Sequence, residues 1–187
     1  MRKEIIIGLI IGLIFALVYI SIEYFPKTTP DGQIWRDSEL TTSILPWLYA
    51  IHFILLGIAL GYIFINKNNL TIKIFLTMTV IISIVLLFLL ETQFLGFGGG
   101  GIYWGADWES LIIALLFYLS AVVLFIYLLF NYSIILSILL FISGNILVMK
   151  GFSFFYIFVL IGSLIIFIIS LVLYLTKKWF NIFIFSS

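Results

Sequence analysis

Apolar residues in this chain come in long unbroken runs, separated by short stretches that collect nearly all of its charged and turn-forming residues. A run of about 20 apolar residues is what a helix needs to cross a hydrocarbon core about 30 Å thick. The pattern predicts spans over residues 5–25, 44–65, 72–95, 111–130, 134–149 and 152–176. These runs lack the alternating polar pattern of an outer-membrane barrel. Backbone groups in lipid must be satisfied internally, so the spans are helices. The fifth run is short, reaching roughly 24 Å as a helix, so five crossings stand as the alternative to six. The expected fold is an all-α membrane protein, a single transmembrane helical domain over 1–187 with a bundle of about six helices.

Composition strengthens this picture. The chain is 65% hydrophobic and only 9% charged, against roughly 25% charged in a soluble domain. Basic residues precede the first run, but that run is long and lacks a small-residue cleavage pattern, so it reads as an anchor that is kept. The net charge of +1 offers no basic surface for nucleic acid. The absence of cysteine excludes disulfides and thiolate chemistry, and the lone histidine excludes paired-histidine haem ligation. No nucleophile-elbow or zinc-protease motif is present, and no cofactor is evident.

Charge also orients the spans. With six crossings, Arg2, Lys3, Lys67, Lys73, Lys177 and Lys178 fall on one side, and Lys27, Arg36 and Lys150 on the other. The excess of bases faces the cytoplasm, so both termini are expected there, in a plasma membrane. The acids separate further. Only Glu4 is inside; Glu23, Asp31, Asp37, Glu39, Glu91, Asp107 and Glu109 are all outside. Acids have little influence on topology, so this asymmetry is independent of the rule that oriented the chain.

Two outer connections carry the candidate chemistry. The first, "PKTTPDGQIWRDSELTTSILP", contains a Pro-Asp-Gly turn. Asp31, Asp37 and Glu39 are its candidate cation ligands, with Trp35 as an aromatic wall; a solvated loop with Arg36 paired to an acid is the plainer reading. The second, "ETQFLGFGGGGIYWGADWES", places Gly98, Gly99, Gly100 and Gly101 between aromatics and acids. The glycines suit a hinge or a close backbone approach. Trp104, Asp107, Trp108 and Glu109 are candidate ligand contacts, although Asp107 and Glu109 also suit the cap and first turn of the fourth helix. His52 and Glu91 lie nearer the hydrocarbon, where ionisable groups are costly and mark functional candidates.

Small residues form stripes of another kind. Gly8, Gly12 and Ala16 recur at four-residue intervals on the first span, and Gly57 and Gly61 on the second. Such spacing lets membrane helices pack closely, within the chain or against another subunit. Asn145, beside Ser143 and Gly144, needs a hydrogen-bond partner within the fifth span's surroundings. The tail "WFNIFIFSS" reads as an apolar segment along the cytoplasmic interface.

Three functions fit. The first is a binding or transport component whose acidic, aromatic outer vestibule takes a cation or a small cationic or aromatic solute. The second is a non-catalytic subunit of a larger membrane complex. The third is an intramembrane enzyme acting on a lipid-linked substrate through carboxylates and His52. The partners implied are the bilayer and, under the second reading, other subunits or further copies of the chain.

Overall fold

A computed structural model describes residues 2–24, 27–28, 34–35, 45–65, 70–95, 108–151 and 156–185. Among these residues there are six helices: α1 Lys3–Tyr24, α2 Leu45–Ile65, α3 Leu70–Leu95, α4 Trp108–Asn131, α5 Ile134–Gly151 and α6 Tyr156–Phe185. Between α1 and α2, β1 (Lys27–Thr28) pairs antiparallel with β2 (Ile34–Trp35). Among the described residues, five helices carry windows long and apolar enough to span a membrane, and Ile134–Val148 is a shorter apolar helix. The protein is an all-α, multi-pass integral membrane protein.

Local chemistry sets the helix ends. Proline disfavours helix at the residue before it, and α1 stops ahead of Pro26. Pro46 stands in the first turn of α2, where its missing N–H costs no hydrogen bond. Between α4 and α5 the chain turns at Tyr132 and Ser133, whose backbone nitrogens both donate to the Leu128 carbonyl. The Ser133 hydroxyl then caps α5, accepting from the Leu136 nitrogen at 3.3 Å.

Backbone contacts divide the chain into two compact units, Met1–Ile84 and Val85–Ser187. The first is built on α1 packed against α2. Their glycine stripes meet backbone to backbone. A Cβ placed on Gly12 would lie 2.8 Å from the Phe53 carbonyl oxygen, and one on Gly61 2.7 Å from that of Glu4. On Gly57 it would lie 2.6 Å from the Gly12 nitrogen, and closer still to the Gly8 carbonyl. Numbers that rise along α1 fall along α2, so the helices are antiparallel. Beyond Ala16, which is buried, aromatic side chains replace the glycines. Tyr19 stacks on Tyr49 with centroids 5.0 Å apart and sits 5.6 Å from Phe53.

In the second unit, α4, α5 and α6 pack around Phe125, Leu129 and Phe141. Phe125 stacks on Phe141 at 4.4 Å and on Phe167 at 6.1 Å. Tyr118 meets Ser163, Phe125 meets Phe167, and Phe130 meets Tyr174. Numbers rise together in these pairs, so α4 and α6 run in the same direction. α5, 18 residues and about 27 Å long, connects them.

α6 continues unbroken to Phe185, so Trp179–Phe185 extends the last helix past the apolar window that ends at Lys177. Side chains such as Leu17, Val85, Leu116, Ile165 and Ile168 are about half exposed. Water would penalise such a surface, whereas lipid tails are its natural solvent.

Candidate functional site

The residues expected to bind a ligand fall mainly outside the described residues. This holds for Asp31, Asp37, Glu39, Trp104, Asp107 and the glycines Gly98, Gly99, Gly100 and Gly101. Trp35 is described as backbone only, in β2 opposite Lys27. Trp108 and Glu109 open α4, and Glu91 lies in the last part of α3; the side chains of all three fall outside the described set. The helix bounds still order these residues along the chain. Asp31, Asp37 and Glu39 lie between the end of α1 and the start of α2, while Glu91, Asp107 and Glu109 flank the connection from α3 to α4. Among the described residues no group of three or more His, Cys, Asp or Glu side chains is arranged to hold a metal.

His52 is fully described. It sits on α2 about 10 Å from the start of that helix, with Tyr49 one turn before it and Phe53 beside it. The ring is 0% exposed and is engaged in the packing around it. A side chain so enclosed is a fixed part of the helix pairing in this conformation, with no face open to a lipid-linked substrate. The expected pairing of His52 with Glu91 involves a carboxylate outside the described side chains.

A polar constellation only partly foreseen from the sequence lies in the second unit. Asn145 on α5 donates through Nδ2 to the Phe141 carbonyl at 2.8 Å, and its Oδ1 accepts from Ser163 Oγ on α6. Since that bond uses the only proton on Ser163, Tyr118 on α4 donates to Ser163 Oγ, at 3.1 Å. The result is an oriented chain, Tyr118 to Ser163 to Asn145, joining all three helices. Asn145 and Ser163 are buried. In a bilayer, an interhelical bond of this kind contributes about 0.6 kcal/mol on average and up to about 1.7 kcal/mol. By tying α4, α5 and α6 together, the chain of bonds fixes the register of α6.

The other hydroxyls follow a local rule. Thr79 donates to the Phe75 carbonyl, Ser83 to that of Thr79, Ser120 to that of Phe117 and Ser137 to that of Ile134. Each proton is satisfied within its own helix, so these residues need no partner from elsewhere. The sequence signal for Ser163 was therefore weak: most serines here are served by their own backbone. Asn145 was conspicuous because an amide has two donor protons and two acceptor lone pairs to satisfy.

Compared with known proteins, the chain matches no protein-family model, no curated protein and no solved structure, so a reading of its function rests on its own residues.

Proposed function

We propose that the protein is a binding or transport component of the plasma membrane whose extracytoplasmic loops take up a cation or a small cationic or aromatic solute. The observation that carries this reading is the sidedness of charge. With successive helices crossing the bilayer, the outer ends and connections hold seven acids against three bases, and the inner ones six bases against one acid. A concentration of carboxylates over a low-dielectric bilayer raises the local concentration of cations. Trp35, Trp104 and Trp108, in the same connections, supply faces for cation–π contact or stacking.

The alternatives draw less support. A subunit role was motivated partly by the glycine stripes as docking faces, and Gly8, Gly12, Gly57 and Gly61 are occupied by one another. An enzyme role relied on His52, which is enclosed.

Thermal unfolding of the detergent-purified protein tests the proposal, with alkaline-earth cations and primary and quaternary amines as probes. A bound solute at 100 times its dissociation constant stabilises by about 2.7 kcal/mol, or about 5–10 °C for a chain of this size. At least one probe is expected to produce such a shift in wild type, and Asp37→Asn or Asp107→Asn to remove most of it. No shift with any probe, or full shifts in both variants, would contradict the reading.

A further inference from the structure

The opposite end of the second unit carries an independent inference. We infer that the α4–α5 turn and the facing part of α6 seat the phosphate headgroup of an anionic phospholipid, with Lys177 as its cation. From Tyr156 to Lys177, α6 covers about 33 Å, one hydrocarbon thickness, which puts the ammonium at headgroup depth. It does not hang free there. Nζ lies 5.6 Å from the centroid of Phe130, at the end of α4, and the Phe130 ring is in turn edge-packed against Tyr174 at 6.3 Å. This cation–π contact holds a flexible side chain over the turn.

The charge at this end has no counterpart in the chain around it. No Asp or Glu follows Glu109 in the sequence, and Lys178 adds a second positive charge. Glu109 itself opens α4, about 30 Å along the helix from Phe130, beyond any useful range at physiological salt. From α4 beyond Glu109 to α6 this unit therefore offers no carboxylate side chain to neutralise Lys177, and at this depth the abundant anion is a lipid phosphate. The surroundings suit a headgroup. The hydroxyls of Tyr127 and Tyr132 lie 3.5 Å apart beside the turn, and Asn131 is exposed, its Nδ2 bonded to the Tyr127 carbonyl. Apolar rings with polar tips are the side chains that favour this level of a membrane.

The test uses the full chain in detergent, with phosphatidylglycerol or phosphatidylcholine added in mixed micelles and the melting temperature followed against lipid fraction. Phosphatidylglycerol is expected to stabilise wild type more than phosphatidylcholine does. Lys177→Gln, at an exposed position, should weaken its apparent affinity about fivefold, the worth of one interfacial lysine. Phe130→Leu keeps the charge but removes its support, and should weaken affinity as well. Lys3→Gln, in the other unit, should leave it within twofold of wild type. Equal effects of the two lipids, an unchanged affinity in Lys177→Gln or in Phe130→Leu, or equal losses in Lys177→Gln and Lys3→Gln would overturn the proposal. Stabilisation by inorganic phosphate equal to that by phosphatidylglycerol would overturn the assignment to lipid.

Discussion

Gly57→Ala is expected to destabilise the protein by about 3 kcal/mol, lowering its melting temperature by about 6–12 °C. The sign is informative because two effects oppose each other. In an ordinary helix interior, alanine is favoured over glycine by about 0.8–1.0 kcal/mol. At Gly57, however, the added Cβ would lie 2.6 Å from the Gly12 nitrogen and 2.7 Å from its Cα, and closer still to the Gly8 carbonyl oxygen. All three are backbone atoms, which cannot turn aside as a side-chain tip does. The two helices would have to separate, opening gaps at Gly8, Gly12 and Gly61 as well and forfeiting dispersion along the whole seam. Steric exclusion therefore outweighs propensity. The check is thermal unfolding of Gly57→Ala beside Ile10→Ala, a change on an exposed face of α1, which should shift little. A melting temperature equal to or above wild type for Gly57→Ala would mean that α1 and α2 do not meet at their glycines.

Phe125→Ala is expected to cost about 3 kcal/mol. This ring is 1% exposed and stacks on both Phe141 and Phe167, so it brings α4 into contact with α5 and α6 together. Phe→Ala in a water-soluble core costs about 3–5 kcal/mol, from lost transfer free energy plus a cavity. In a bilayer most of the transfer part vanishes, because the unfolded helix buries the same ring in lipid. What remains is the cavity and the lost ring contacts, which sets the estimate at the low end. Ile165→Ala, on a side chain of α6 that is 52% exposed, should cost under about 0.5 kcal/mol. Unfolding in a series of denaturing detergent mixtures separates the two variants. Similar losses for both would show that Phe125 is not at the centre of a packed unit.

Much of this fold was legible because a membrane simplifies the code. Backbone satisfaction leaves only helices for apolar runs without a barrel pattern, and the runs then mark where those helices lie. The bounds read from hydropathy differ from the observed ends by a few residues, except at the tail. There the lysines at 177 and 178 looked like a terminus, although nothing in "WFNIFIF" breaks a helix. The glycine stripes were visible as periodicity, but periodicity did not say which stripe meets which; the backbone approach of Gly8 and Gly12 to Gly57 and Gly61 does.

Polar contacts inside the bundle were harder to read. Asn145 announced a need for a partner, yet Ser163 and Tyr118 were hidden among residues of the same types whose hydroxyls serve local backbone. The outer connections present the reverse case. Their chemistry is plain in the sequence as acids, tryptophans and glycines, but residue types alone do not say which carboxylates converge. Sidedness, in contrast, follows from the order of the crossings and from the basic residues that orient them, and so it is the firmest bridge from this sequence to a function.

Sidedness can be measured directly, because a chain without cysteine is ready for single-cysteine mapping. Cysteine would be introduced one position at a time at Thr29, Gly100 and Ser153, and at Asn68, Asn131 and Ser186. Intact cells would then be labelled with a membrane-impermeant maleimide before and after permeabilisation. The account predicts labelling of the first three in intact cells, and of the last three only after permeabilisation. Protection of Thr29 and Gly100 until the membrane is opened would put the acidic face in the cytoplasm and contradict the proposed extracytoplasmic binding function. Protection of Ser153 alone would contradict a fifth helix that crosses.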